Sequence, residues 1–245
     1  MQAESLGEHF KQYFSLHRAN TQALKDIVYK IRYDVYCAEL KYEQNCPKDC
    51  EKDMFDEYSY HILIKHLSSG RFAGCVRLVT PPKSDHSALL PFEDCCLQSV
   101  DPDKIQSIEQ DGKNFIGEIS RLAVHHDFRR RPGENSNPYG VDIEHPPLII
   151  SPHEQRIFPF ISVSLYLASA AIALHYGLKY VVVMMEPRLA RLLNRFGIRF
   201  SQLGDEMSYH GTRAMFYIDK KMLFDNLKPE LKELFQFVSE EIKSK

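Results

Sequence analysis

The sequence predicts an α/β (α+β) fold, one mixed central sheet flanked by helices, and three observations carry that reading. Residues 59–67 and 72–80 are apolar, strand-like runs joined by Ser68-Ser69-Gly70-Arg71, which has the composition of a hairpin turn. A third run, Gly117-Glu118-Ile119-Ser120-Arg121-Leu122-Ala123-Val124, reads as a buried strand that carries charge. A charge-free, alanine-rich stretch over residues 157–178 leads at once into Tyr180-Val181-Val182-Val183-Met184-Met185, as expected of a helix buried against a sheet and followed by a strand. At 245 residues the chain is long enough for a sizeable core, and we read 1–245 as a single domain.

Taken in order, Phe10, Tyr13, Phe14 and His17 recur at helical spacing and predict a short amphipathic helix. Asn20 or Thr21 offers an N-cap for a second helix reaching about Ala38, with Leu24, Ile27, Val28, Ile31 and Val35 as its apolar stripe. Arg32 and Tyr36, four apart, lie together beside that stripe. A polar loop over 43–52 ends in Glu51-Lys52-Asp53-Met54-Phe55-Asp56, and the predicted hairpin follows. After Pro81-Pro82 the chain is irregular to Asp111, with Leu90-Pro91-Phe92-Glu93 as a local anchor. Beyond the charged strand, residues 133–159 are rich in Pro, Asn and Glu without periodicity, and 130–158 is expected to be an insertion or lid. A helix opened by Pro187 and closed by Gly197 carries Arg188, Arg191 and Arg195 on one face. Short strands near 199–203 and 212–218 complete the sheet, and 229–243 reads as an amphipathic helix docked through Leu231, Leu234, Phe235, Val238 and Ile242.

The charged strand is the candidate site. A strand has no reason to bury Glu and Arg unless each has a partner or a task. Glu118 and Ser120 share one face of a regular strand, and Arg121 points to the other. A bulge after Ser120 would bring Arg121 round to the side of Glu118. The strand at 74–79 likewise holds a lone Arg77 that needs carboxylates. Glu51, Asp53, Asp56 and Glu118 balance Arg32, Arg77 and Arg121, so a polar cluster lining a cleft is expected.

Composition narrows the classes. A formal charge of -2 argues against general nucleic-acid binding. Residues 1–7 are polar and acidic rather than a basic-then-apolar leader, so a cytoplasmic protein is expected. The six cysteines are then expected as free thiols. No metal site is expected, because Cys46, Cys50, Cys95 and Cys96 lack the double C-x-x-C spacing of a zinc knuckle. Ser162, Ser164, Ser169 and His175 dilute the apolar helix, which excludes a transmembrane reading and leaves only peripheral membrane contact.

In this order, Arg32 with Tyr36, Glu51-x-Asp53-x-x-Asp56, Gly74-Cys75-Val76-Arg77-Leu78 and Glu118-x-Ser120-Arg121-Leu122-Ala123-Val124 resemble the GNAT-like acyltransferases, and within them the acyl-homoserine-lactone synthases and N-acyl amino acid synthases. Met185-Glu186-Pro187-Arg188-Leu189 and Tyr209-His210-Gly211-Thr212-Arg213 look like acyltransferases that accompany the PEP-CTERM/exosortase system of bacteria. The resemblance implies a GNAT-like fold and transfer of a long-chain fatty acyl group from an acyl carrier protein, or acyl-CoA, to the amine of an amino acid or similar small acceptor, with no bound cofactor. In it Glu118, Ser120 and Arg121 would be catalytic, with Glu118 as general base and a backbone N–H at the bulge as oxyanion donor. Arg32, Tyr36, Glu51, Asp53, Asp56 and Arg77 would bind the acceptor. Leu122 and Val124 would meet the acyl donor, and Arg129, Arg130, Arg131, Arg188, Arg191 and Arg195 would dock an acidic carrier. The chain departs from the lactone synthases in having no tryptophan, Tyr42 standing near the place of theirs. A lactone synthase using S-adenosylmethionine is the alternative enzyme, and a non-catalytic acyl-carrier or lipid-binding module the alternative of another class.

Overall fold

The computed structural model describes residues 5–82, 84–85, 87–129, 151, 154 and 156–244. Short-range capping sets most helix starts. The Ser5 side chain accepts from the Glu8 N–H and opens α1 (Leu6–Tyr13), and Thr21 accepts from the Leu24 N–H and opens α2 (Gln22–Arg32). Each cap satisfies one donor that the first helical turn leaves without a partner. Prolines, whose missing N–H costs nothing there, open α3 (Pro91–Cys95), α4 (Pro102–Glu109), α5 (Pro159–His175) and α6 (Pro187–Arg195). Asp219 caps α7 (Lys220–Asn226), and α8 (Pro229–Ser244) follows. The second helix does continue past Arg32, as a π-helical segment over Tyr33–Glu39.

Among the described residues eight strands form one sheet: β1 (Phe14–Arg18), β2 (Ser59–His66), β3 (Phe72–Val79), β4 (Ile116–Val124), β5 (Tyr180–Met185), β6 (Ser201–Gln202), β7 (Met207–Ser208) and β8 (Thr212–Asp219). Their order is β1-β2-β3-β4-β5-β8-β6, with β7 paired to β8. Only β4 and β5 run parallel, with α5 as the crossover between them. The predicted N-terminal helix is corrected here. It ends at Tyr13, and Phe14–Arg18 pairs antiparallel with β2 from Phe14↔His66 to Arg18↔Ile62. Phe14 and Leu16 are both fully buried, so the two-residue period prevails once a strand edge is available to pair with.

Helix α5 buries Ile161, Leu165, Ala168 and Ile172 in a core shared with Val76, Leu78 and Ile119 of the sheet. Leu231, Leu234, Val238 and Ile242 of α8 join the same core. No helix among the described residues is long and apolar enough to cross a membrane. Of the expected lid, residues 130–150, 152–153 and 155 lie outside the described residues.

Two irregularities position the site. Cys75 pairs with Ala123 but Arg77 pairs with Ser120, so Arg121 and Leu122 together oppose the single Val76. This is the bulge expected after Ser120, and Arg121 takes a left-handed φ of +50° within it. Gly74 lets β3 come close beside it, since a Cβ there would stand 2.6 Å from the Ala123 carbonyl oxygen. The parallel pairing of β4 with β5 covers only Ile116↔Tyr180 to Ile119↔Val183. Past Ile119 the two strands part, and a cavity opens in the wedge.

Candidate active site

The wedge cavity is lined by Glu118, Ser120, Arg121 and Leu122 from β4, Tyr36 from the π-helical segment, Tyr166 from α5, and Tyr209, His210 and Arg213 from the β7–β8 turn and β8. Glu118 is 2% exposed and its Oε2 accepts the Phe92 N–H at 2.9 Å. Burial pushes its pKa up to about 8, against the pull of that hydrogen bond and of Arg77. A carboxyl poised this close to neutral pH can hold or release a proton during a reaction.

Beside the cavity wall lies a buried ionic cluster. Arg32 is fully buried and donates to Glu51 through Nε and to both oxygens of Asp56, at 2.6 and 3.2 Å, through its Nη atoms. Arg77 donates to Asp53, to Asp56 at 3.0 Å and, from Nε, to Ser120 Oγ at 3.0 Å. Arg121 donates to Glu51 at 3.0 Å and to Glu43 at 2.8 Å, with Asp53 at 3.5 Å. The acidic spacing has a local cause, because Asp53 and Asp56 form a capping box on a 3₁₀ turn, Met54–Tyr58, with Asp56 Oδ2 accepting the Asp53 N–H at 2.8 Å. Burial opposes ionisation of Asp56, but Arg32 and Arg77 outweigh it and hold the carboxyl well below the usual carboxylate range. Burial likewise opposes the charge on Arg121, and Glu51, Asp53 and Glu43 outweigh it and raise its pKa.

Tyr36 ties the cluster to the bulge. Its hydroxyl donates to the Leu122 carbonyl at 2.6 Å, and burial pushes its pKa up to about 12. It therefore remains a neutral donor that fixes the bulged backbone.

The expected site residues thus fall into groups. Glu118, Ser120, Arg121, Leu122 and Tyr36 line the cavity. Arg32, Glu51, Asp53, Asp56 and Arg77 do not line it, their charges being taken up by one another and by Arg121. Val124 is buried in the main core, in register with Gly74. Arg129 pairs with Glu39, and Arg130 and Arg131 lie outside the described residues. Arg188, Arg191 and Arg195 are exposed on α6. Arg188 and Arg191, without Arg195, line a second hollow together with Tyr42, Glu186, Glu206 and His210.

Sequence reasoning missed Glu43, Tyr166 and Arg213 as wall residues, and His61. His61 is 3% exposed, pairs in register with Arg77 and lies 3.6 Å from Asp56. Burial pushes its pKa down to about 4, so it sits in the cluster uncharged. Only the strand pairing reveals it, as its own segment reads as an ordinary apolar strand. Tyr42 stacks on His210 with ring centres 4.7 Å apart, which brings the loop after the π-helical segment against the β7–β8 turn at the mouth.

The expectation of six free thiols is corrected: Cys37 pairs with Cys46 and Cys95 with Cys96, leaving Cys50 and Cys75 free. That expectation rested on chain length and compartment, whereas the loop after the π-helical segment turns back and carries Cys46 onto Cys37. Unreduced native protein should therefore show one readily titrated thiol, Cys50. Cys75, fully buried and pushed up to about 12 by that burial, should react only after denaturation. Four or more reactive thiols in the denatured, unreduced protein would disprove the pairing. Among the described residues one group, His125, His126 and Asp127, has its potential metal-ligating atoms within 4.8 Å of one another, and Asp127 there also holds Arg71 at 2.6 Å.

Residues 31–136 match the family model of the acetyltransferase (GNAT) domain. The chain is 23% identical over 180 residues to an acyl-homoserine-lactone synthase of Acinetobacter nosocomialis, covering 74% of this chain and 82% of that protein. FeeM, an N-acyl amino acid synthase from uncultured soil microbes, is similar in structure with a TM-score of 0.57 at 12% identity, over 89% of this chain and 97% of that one. BjaI, a CoA-dependent acyl-homoserine lactone synthase solved with MTA, also has a TM-score of 0.57, at 17% identity over 94% of this chain and 90% of that one. A charged, bulged strand at the mouth of a splayed parallel pair is thus set in a recognised scaffold, in which residues 31–136 match the GNAT domain and the chain has the GNAT-like fold of the acyl-homoserine-lactone synthases and N-acyl amino acid synthases.

Proposed function

We propose that the protein moves a long-chain fatty acyl group from a carrier-protein thioester to the amine of a small acceptor, an amino acid or a close derivative. The observation that carries this is Glu118, a buried carboxyl with a raised pKa where β4 and β5 part. The neutral amine attacks the thioester carbonyl, a C–N bond forms, Glu118 takes the amine proton, and the C–S bond breaks to release a thiol. Backbone N–H groups of β4 past Ile119, which have no β5 partner, would face the developing oxyanion. The Ser120 oxygen is held by Arg77 Nε, so its hydroxyl is free to hydrogen-bond the departing sulfur, which takes up the proton that Glu118 received from the amine. In this reading Arg32, Glu51, Asp53, Asp56 and Arg77 act as positioning residues for Ser120 and Arg121.

The exposed Arg188, Arg191 and Arg195 on α6 suit an acidic carrier protein as donor, since such a patch steers an acidic partner. The hollow beside Arg188 and Arg191 shares Tyr42 and His210 with the cavity, so a thioester arm entering there would reach the wedge. It is also where Glu186-Pro187-Arg188 and His210-Gly211-Thr212 meet, the two stretches that support placement with the PEP-CTERM-associated enzymes. An apolar hollow of about 20 Å³ lined by Ile119, Tyr166, Leu167, Ala170, Val181 and Ile198 shares Ile119 and Tyr166 with the cavity, and a fatty chain entering it would have to push these side chains apart.

A lactone synthase is the second reading, favoured by the curated relative and by BjaI, which was solved with SAM and isopentyl-CoA. The absence of tryptophan favours simple N-acylation. We place the protein in the cytoplasm, where acyl thioesters are made. The two disulfides pull the other way, and thiol trapping in intact cells decides between them.

Mass spectrometry of small-molecule lipids from cells expressing the protein, beside a Glu118→Gln control, tests the proposal. An acylated amino acid formed only with the wild type is expected. An acyl lactone in its place would select the second reading. If neither strain yields a new acylated amine, and purified protein transfers nothing from acyl carrier thioesters to a broad amine panel, the proposal fails.

A further inference from the structure

Two guanidiniums line the wedge cavity among the described residues, Arg121 and Arg213, and their circumstances differ. Arg121 is held by Glu43, Glu51 and Asp53. Arg32 and Arg77 behind it are likewise paired, so three guanidiniums meet the four carboxylates Glu43, Glu51, Asp53 and Asp56. An incoming carboxylate meets surplus negative charge there, and repulsion rather than a vacancy. Arg213, on β8 in register with Met207, has a buried Nε without a hydrogen-bond partner, and no ion pair with a described residue reaches it. Glu118 in the same cavity makes no ion pair with it, since Glu118 Oε2 accepts the Phe92 N–H instead and burial disfavours the charged carboxyl. A buried guanidinium N–H left unbonded is costly, and a charge-assisted bond to an oxyanion is what relieves it.

We infer that Arg213 anchors the carboxylate of the acceptor, so that the acceptor class is an amine bearing a carboxylate, an amino acid, rather than a simple amine or an amide. The inference rests on the acyl-transfer reading of this cavity and adds a specificity residue to it. The reacting end of the donor is a neutral thioester, so the anionic group that comes to this depth belongs to the acceptor. The amine is then presented toward Glu118 while Arg213 holds the other end, with the stacked Tyr42 and His210 in the wall of the same cavity.

The test has two arms, each on full-length wild type, Arg213→Gln and Arg213→Lys, with folding of each variant confirmed by its melting transition. In the first, N-dodecanoyl derivatives of the standard L-amino acids, β-alanine and 4-aminobutyrate, each as free acid and as carboxamide, are titrated by calorimetry without any donor. At least one acid should bind about 10- to 100-fold more tightly than its own amide, the worth of a charge-assisted hydrogen bond. That ratio should fall to near one in Arg213→Gln and be partly kept in Arg213→Lys. If no acid is preferred over its amide, or the preference survives in Arg213→Gln, the anchor is refuted. In the second arm, release of thiol from dodecanoyl thioesters is followed with the parent amino acids and amino acid amides as acceptors. Transfer to acids and amides alike removes the anchor and leaves the acyl-transfer reading standing. An Arg213-dependent preference for acids in the first arm, with no transfer in the second, keeps the anchor and removes that reading.

Discussion

Replacing Glu118 with Gln should lower kcat for acyl transfer by about 10²- to 10⁴-fold, the usual contribution of a positioned general base. Gln keeps an oxygen for the Phe92 N–H, so the loss reports the carboxylate and not the hydrogen bond. With Glu118 as the base its ionised form would be the active one, so wild-type kcat/KM should climb with pH and level off above about 8, where burial has placed its pKa. A profile that is flat from pH 6 to 9 with an amine already neutral over that range, or a variant within tenfold of the wild type, would remove Glu118 from the base role. The same group links stability to pH. Its folded pKa stands above the ordinary glutamate value of 4.5, so between 4.5 and about 8 the folded protein keeps a proton that the unfolded chain has released. The contribution is therefore fully present below 4.5 and is lost as pH rises through about 8. Melting temperatures should fall over that window in the wild type and less steeply in Glu118→Gln.

Asp56→Ala should cost about 3–5 kcal/mol of folding stability, the usual penalty for breaking a buried ion pair from one side. Asp56 is 2% exposed and holds two arginines, Arg32 at 2.6 Å and Arg77 at 3.0 Å, so its removal takes one of two carboxylates from each of two buried cations, leaving Arg32 on Glu51 and Arg77 on Asp53. Urea denaturation reads the effect, and a loss below about 1 kcal/mol would mean that the cluster relaxes or hydrates. The sign with pH is opposite to that of Glu118. The Asp56 carboxyl is held below its ordinary value of 3.8, so its contribution is present above 3.8 and disappears as the solution is acidified through the folded value. Replacing Arg32 by Met and Asp56 by Leu together should cost less than the two single losses added, because desolvation of both charges is then avoided.

What the sequence determined by itself were the features written in short-range chemistry. The turn Ser68-Ser69-Gly70-Arg71 between two apolar runs marks the β2–β3 hairpin, and a charge-free helix leading into a valine-rich run marks the parallel crossover. Charges inside the β4 run mark the bulge and Glu118, because a buried strand cannot carry such groups idly. The Glu51-x-Asp53-x-x-Asp56 spacing and the arginines at 32, 77 and 121 show that an ionic cluster must exist.

Tertiary structure alone decided which of those groups are spent and which are left over. Phe14 and Leu16 fit either period, and only the exposed edge of β2 makes them a strand. Cys37 and Cys46 are joined by chain reversal, nine residues apart in sequence. The sequence assigns Arg77 and Arg121 to the acidic cluster without saying which carboxylate each holds, and the fold makes those pairings, while Arg213, ordinary in its own segment, reaches the cavity with a buried unbonded nitrogen. The physical reason is that the free energy of a charge depends on its depth and on its partners, and both come from segments distant along the chain.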